Sequence, residues 1–483
     1  MDFGTINFGL AGAGAAVVYL IGFATAVDAV MTTRTPQGAT AWVFALATTP
    51  LVAVPLYFIF GRSRFEDYIE SLSEFDVEIA SAMHQAKEGP LKPFLADLPE
   101  DSREAGEIEA FGKMATLPFT RGNGIRLLID GDQTFEAIFA GIDAAERYVL
   151  AQFYTVHDDQ IGTAFKEHLI AAARRGVTVR FMYDSIGSLG LSRRYLHDLK
   201  DAGIEVCPFT GPRNWLRKLR LNFRNHRKIV VVDGTTGYVG GLNVGDEYLG
   251  RDPKIGNWRD THLEVAGPLV QGIQLSFARD WYYGTRRELD DLEWEPQPAE
   301  RDVTALVLAS GPADKLETCG LLYAHAIESA EERIWIATPY FVPDGRVLGA
   351  LQLAALRGVD VRILMPRESD SIFFKYVPWA YLDEVARAGV RVFLYEKDFM
   401  HQKVAVVDRD FAAVGTANFD NRSFRLNFEV TVVAHDEGVS DDVAAMLERD
   451  LEDATEIGLE DVQDKPFLFR FAANGTRLLA PVL

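Results

Sequence analysis

The chain has 483 residues, 48% of them hydrophobic and 25% charged, which excludes global disorder and leaves room for two or three domains with full cores. Its formal net charge of −21 and pI near 4.9 are the opposite of what displaces counterions from a polyphosphate, so a nuclease fits poorly and no nucleic-acid partner is expected. Two cysteines, Cys207 and Cys319, call for no disulfide framework and read as buried thiols.

Residues 3–27 and 35–61 carry no charge, and each run is long enough to cross a bilayer of about 30 Å as a helix. A transmembrane hairpin over residues 1–61 is therefore expected, with Pro50 and Pro55 tolerated inside a membrane helix. Asp2 is the one charge before the first run and the second follows at once, which argues against a cleaved signal peptide. Arg62 and Arg64 after the second run, against Arg34 in the turn, favour a cytoplasmic catalytic part. Residues 62–115 are acidic and interrupted by Pro90, Pro93 and Pro99, and read as a helical connector.

An α/β pattern then occurs twice, over residues 116–297 and 298–483. In the first half, strands are expected at 125–129, 148–153 and 177–183, and helices at 133–145 and 160–175, the latter stopped by Gly176. In the second half, Glu332, Arg333 and Tyr340 answer Glu146, Arg147 and Tyr154, and RGVDVR at 357–362 answers RGVTVR at 175–180. The fold class is α/β: two related halves, each a mixed sheet covered by helices.

The strongest signal is the repeat of NHRKIVVVDGTTGYVGGLN at 225–243 in HQKVAVVDRDFAAVGTAN at 401–418. His226 and His401, Lys228 and Lys403, Asp233 and Asp408, and Asn243 and Asn418 all share one offset of 175 residues. A repeat that keeps polar residues in register is preserving a site. Both copies run into β-branched residues, 229–232 and 404–407, and the strand period of two places His and Lys on one face. Asp233 and Asp408 come an odd step after their His, face away, and read as the structural members of the signature. A turn and a short apolar segment then bring Asn243 and Asn418 back towards His and Lys.

Two imidazoles, two ammoniums and two amides suit a phosphodiester. The cations and amides hold the non-bridging oxygens, one His attacks phosphorus and the other protonates the leaving oxygen. The lysines supply the positive charge, so no metal and no cofactor is expected. Each motif alone is a weak signal, but two in register are a strong one. Orienting carboxylates are sought one per half, and Asp260 and Glu429 open apolar strands at matching places, 34 and 28 residues after their respective His. His157 and His262 read as ordinary polar residues.

These residues resemble the two HKD motifs of the phospholipase D superfamily, over about residues 116–483. NFRNHRK at 222–228, GGLNVGDEY at 240–248, TPYFVPD at 338–344 and the apolar hairpin are most similar to bacterial cardiolipin synthases. The resemblance implies two halves about a pseudo-twofold sharing one active site, and a motif His supported by a carboxylate. It also implies a hydroxyl near the second motif, matched by Ser423. The implied activity is transfer of a phosphatidyl group between two phosphatidylglycerols, giving cardiolipin and glycerol through a phosphatidyl-histidine, at the bacterial inner membrane in a multi-pass protein.

The superfamily tendency makes the first His the nucleophile, although the halves are chemically equivalent. A hydrolytic phospholipase D, or a synthase using a phosphatidylethanolamine or CDP-diacylglycerol donor, would need the same residues. A non-catalytic membrane scaffold would have lost a motif residue, and none is missing. Arg213, Arg217, Lys218, Arg220, Arg224 and Arg227, interleaved with Trp215, Leu216, Leu219, Leu221 and Phe223, are expected to meet anionic membrane lipids.

Overall fold

The computed structural model describes residues 3–33, 35–61, 65, 67–72, 75, 88–96, 103–209, 222–397 and 399–482. Most of the basic run just named, from Arg213 to Leu221, lies outside the described residues.

The N-terminal apolar run forms one helix, Phe3–Thr32, and residues Gly14–Thr32 are the described stretch long and apolar enough to cross a membrane. The second run departs from the single helix expected. It is divided into Pro36–Thr48 and Pro50–Leu56, followed by a π-helical turn, Tyr57–Gly61. The break falls at Thr49 (φ −134°, ψ 56°), because a proline ring forces the residue before it out of the helical region. The two runs still pack as a hairpin. Gly22 lies so close to Pro50 that a Cβ there would come within 2.7 Å of the proline Cβ, and the Tyr57 hydroxyl donates to Asp28 at 3.0 Å.

The connector enters the core. Phe65 stacks on Phe223 with ring centroids 5.0 Å apart, and the Tyr68 ring lies 4.6 Å from that of Phe428, its hydroxyl donating to Asp280 at 2.8 Å. The Phe60 carbonyl, in the last turn of the hairpin, accepts from the Asn222 side chain at 3.1 Å, four residues before His226.

Both halves share one 15-stranded sheet in which the first half runs, from edge to centre, Glu205–Pro208, Thr178–Tyr183, Tyr148–Phe153, Ile229–Val232, Thr236–Gly240, Thr261–Ala266 and Thr120–Ile129. The second half repeats that order as Arg391–Tyr395, Asp360–Pro366, Arg333–Ala337, Val404–Val407, Phe411–Gly415, Glu429–His435 and Val303–Ser310, with Ala454–Ile457 added at its edge. The halves meet where Thr120–Ile129 pairs antiparallel with Val303–Ser310. One hydrophobic core crosses that seam, taking in Ile229 and Leu263 from the first half and Val404 and Val430 from the second. The expected motif strands, Ile229–Val232 and Val404–Val407, form as fully buried runs.

Candidate active site

The motif histidines and lysines lie just before their strands, in segments held by the opposite half. Asn225 bridges in parallel to Phe428, and the His226 amide donates to the Phe428 carbonyl at 2.9 Å. Phe399–Met400 pairs in parallel with Trp258–Arg259, and the His401 amide donates to the Arg259 carbonyl at 2.7 Å. Each histidine segment is thereby set beside the residue preceding the other half's carboxylate.

The outcome crosses the sequence assignment of one acid to its own upstream His. His226 Nδ1 donates to Glu429, 2.9 Å from Oε2 and 3.1 Å from Oε1. His401 Nδ1 donates to Asp260 Oδ2 at 2.8 Å. Both carboxylates are therefore beside motif histidines, but with partners exchanged. With Nδ1 engaged, Nε2 is the nitrogen each ring can present to a reacting group.

The lysine ammoniums fold back on the same segments. Lys228 Nζ donates to the His226 carbonyl at 2.7 Å, and Lys403 Nζ donates to the His401 carbonyl and lies 2.6 Å from His401 Nδ1. Both ammoniums are buried. Burial pushes Lys228 down to about 7 and Lys403 down to about 8, against the pull of Asp260 and Glu429. Burial also lowers both histidines, with His401 reaching about 3 as Lys403 beside it adds to the effect. For Glu429 burial acts upward, but His226, Lys228 and the Thr416 hydroxyl hold the carboxyl below its usual range. Asp260 is likewise held down against burial, by Lys403 and His401. The site thus sets two lysines and two histidines around two buried carboxylates.

Glu429 is the better anchored acid. It accepts from the Thr416 hydroxyl at 2.5 Å, the Ser423 hydroxyl at 2.9 Å and the Asn427 amide at 3.3 Å. Ser423 therefore stands near the second motif as the resemblance implied. Asp260 has less room. Gly241 sits where the second half has Thr416, and a Cβ there would fall 2.0 Å from Asp260 Oδ1. Asn243 accepts from the Thr155 amide at 3.1 Å and donates to the Tyr248 hydroxyl at 3.0 Å. Asn418 donates to Asp420 at 3.2 Å, and its buried Oδ1 has no partner among the described residues.

The carboxylates of Asp233 and Asp408, the remaining members of the signature, are taken up by backbone amides. The Asp233 carboxylate accepts from the amides of Glu146, Arg147 and Tyr148 at 2.8–2.9 Å, tying off the strand Tyr148–Phe153. Asp408 does the same for Glu331, Glu332 and Arg333 at 2.7–3.0 Å. Both have left-handed backbones, φ 52° and 48°, a conformation Asp tolerates better than most residues.

Several neighbours escaped the sequence reading. Tyr154 and Tyr340 lie against His226 and His401, with ring centroids 5.1 and 6.1 Å away, and their equivalence in the repeat was the available signal. Buried Asp280 holds the flanks of His226, accepting from Asn225 at 2.7 Å and Arg227 at 2.8 Å. Buried Asp450 accepts from Gln402 at 2.7 Å and, through both oxygens, from Arg259. Each follows an arginine in a helix of its half, Leu269–Thr285 and Glu437–Glu452, a repeated Arg-Asp pair visible in the chain. His262 is buried against Gly240 with neither ring nitrogen partnered among the described residues, and His157 meets Glu247 at 3.2 Å.

Comparisons with known proteins place the chain in one family. A family model described as "Cardiolipin synthase, PLD-like domain" matches residues 138–281 and 323–451, and one described as "Phospholipase D-nuclease N-terminal" matches residues 20–62. The chain is 43% identical over 470 residues to cardiolipin synthase A of Pseudomonas fluorescens, covering 97% of each chain. It is 44% identical over 468 residues to cardiolipin synthase A of Pseudomonas aeruginosa, covering 96% of this chain and 95% of that one. Among solved structures it is similar in fold to a phosphatidylserine synthase of Haemophilus influenzae, with a TM-score of 0.57 at 14% identity over 74% of this chain and 95% of that one. With its paired histidines and lysines in two related halves, the chain belongs to the cardiolipin synthase family of phospholipase D-like proteins.

Proposed function

We propose that the chain joins two phosphatidylglycerols into cardiolipin and glycerol. His226 Nε2 attacks the phosphorus of the donor lipid, the phosphorus–oxygen bond to the glycerol headgroup breaks, and the departing oxygen takes a proton from His401 Nε2. His401 then removes the proton from a headgroup hydroxyl of the second lipid, whose oxygen displaces His226 from phosphorus. Lys228, Lys403, Asn243 and Asn418 hold the non-bridging oxygens, and Glu429 and Asp260 steady the two rings. The observation that carries this reading is the pair of histidines with Nδ1 bound by a buried carboxylate. The undivided contact of His226 with Glu429, against a His401 nitrogen shared with Lys403, favours His226 as the ring that bears the phosphatidyl group.

The approach of an anionic phosphodiester raises the lowered values of His401 and both lysines, so substrate binding itself supplies the protonated acid. We place the protein in the bacterial inner membrane as a multi-pass chain. Its hairpin covers residues 1–61, a connector follows to residue 115, and the halves at 116–297 and 298–483 face the cytoplasm.

Purified protein in mixed micelles with labelled phosphatidylglycerol tests the reading. Labelled cardiolipin and free glycerol in equal amounts are expected, with turnover persisting in a chelator. Phosphatidic acid as the main product makes the enzyme a hydrolase, and a requirement for a second lipid class identifies another donor.

A further inference from the structure

The C-terminal helix Phe467–Arg477 has three distinct sides. At 3.6 residues per turn, Phe469, Ala473 and Thr476 face inward, Phe467, Leu468, Phe471 and Gly475 lie together on another side, and Arg470, Asn474 and Arg477 form the edge between. The inner side is firmly attached. The Phe469 ring lies 5.2 Å from Tyr376 and 5.6 Å from Trp379. Arg477 donates to the Ala380 carbonyl at 3.2 Å and to Glu384 at 2.6 Å. The outer side is bare: Phe467, Leu468 and Phe471 are 70%, 77% and 68% exposed. A helix held this way and showing large apolar side chains outward is not a fraying end, and such a face marks an interaction surface.

The helix packs through Phe469 against Tyr376 of the short helix Ile372–Tyr376, on which Ile372 and Phe373 are exposed as well. That helix reaches the active site. Phe374 stacks on Tyr340 with centroids 3.9 Å apart, and Tyr340 lies edge-on to His401. The corresponding loop of the first half carries the exposed Leu189 and the Asp184 carboxylate, which accepts the Asn225 amide beside His226 at 3.0 Å. The last turn of the hairpin accepts a hydrogen bond from Asn222, four residues before His226. Exposed apolar side chains thus lie on the segments that pack beside each histidine.

We propose that the face made by Phe467, Leu468, Phe471, Ile372 and Phe373 docks into the interfacial layer of the lipid bilayer and seats the His401 side of the active-site mouth on the membrane. Three observations select a bilayer over a second copy of the chain. The same chain carries a helix apolar enough to cross a membrane, so a bilayer is always within reach. The face combines bulky aromatic and aliphatic groups with a basic flank at Arg470, as in helices that lie in the membrane plane. It adjoins the one of the two histidines that the hairpin does not approach, so a membrane seated on both sides would deliver lipid to both halves.

The contact is independent of the chemistry proposed above and is tested without turnover. Cys207 and Cys319 are buried, so a single surface cysteine accepts a nitroxide label alone. In proteoliposomes of the full chain, labels at Leu468→Cys and Phe471→Cys should be open to oxygen and shielded from a water-soluble nickel chelate, while one at Arg470→Cys, farther round the helix from both, should show the reverse. Equal chelate access at all three positions overturns the proposal. Dipolar broadening at Leu468→Cys that disappears on dilution with unlabelled protein assigns the face to a second copy and also overturns it. As a second arm, Phe467→Ser, Leu468→Ser and Phe471→Ser together should lower the ratio of turnover on bilayers to turnover of a monomeric short-chain lipid by about tenfold. A ratio equal to wild type counts against the contact.

Discussion

Glu429, in the second half, accepts the Nδ1 proton of His226, in the first, across 203 residues of chain. Asp260 returns the arrangement to His401 across 141 residues. Each motif histidine is therefore held by a carboxylate of the opposite half, so that neither half holds the pair by itself. In the proposed mechanism the two carboxylates support different steps, and each can be removed separately.

Glu429→Gln should weaken attack by His226, and Asp260→Asn should weaken proton donation by His401, each lowering kcat by about 10²–10⁴-fold. A phosphatidyl ester of 4-nitrophenol, whose leaving oxygen needs no proton, should restore most of the rate of phosphatidyl-enzyme formation to Asp260→Asn and little to Glu429→Gln. Rescue of Glu429→Gln instead would exchange the roles of the two histidines, making His226 the proton donor and His401 the nucleophile. Gly241→Ala, whose new methyl meets the Asp260 carboxylate, should behave as Asp260→Asn does.

The lysines set an alkaline limit. Lys228 and Lys403 lose their charge near 7 and 8 in the free enzyme, so kcat/KM should fall as pH rises through that range, because the phosphodiester loses its cations. Lys228→Arg, which stays charged, should move the limb upward in a pH–rate profile if any activity survives the change of shape. Stability follows a different sign. Between these lowered values and the unfolded lysine value of about 10.4 the unfolded chain holds more protons, so the lysines make stability rise with pH there. Below about 6.5 the unfolded histidines take up protons that buried His226 and His401 refuse, so their contribution falls with acid.

Asp233→Ala and Asp408→Ala each leave three backbone amides without their acceptor and put a methyl side chain on a left-handed backbone. A loss of about 2–4 kcal/mol is expected in denaturant unfolding. The folded fraction should keep a kcat well above that of His226→Ala. A loss of rate equal to the histidine variant, with unchanged stability, would make these carboxylates part of the chemistry.

Asp450→Ala removes the acceptor shared by Arg259 and Gln402 and leaves a buried guanidinium with one weaker ion pair, to Asp130 at 3.2 Å. A cost of about 3–5 kcal/mol is expected, read as a lowered Tm. Asp450→Asn, which still accepts hydrogen bonds, should recover part of it.

The sequence by itself determined the local pattern and its duplication. The strands Ile229–Val232 and Val404–Val407, the Asp residues that face away from the site, the apolar N-terminal helix and the two-half architecture all follow from periodicity and register, which neighbouring residues encode. Only the tertiary structure decided which carboxylate serves which histidine. Asp260 and Glu429 are chemically alike and each lies downstream of a motif, so no local signal distinguishes the pairings. The choice is made where Phe399–Met400 docks on Trp258–Arg259 and Asn225 docks beside Phe428, contacts that exist only once the two half-sheets have joined along Thr120–Ile129 and Val303–Ser310. The repeated Arg-Asp pair at Asp280 and Asp450 is legible in the chain, but that each aspartate is a buried ion-pair partner was decided only by the segment packed against its helix.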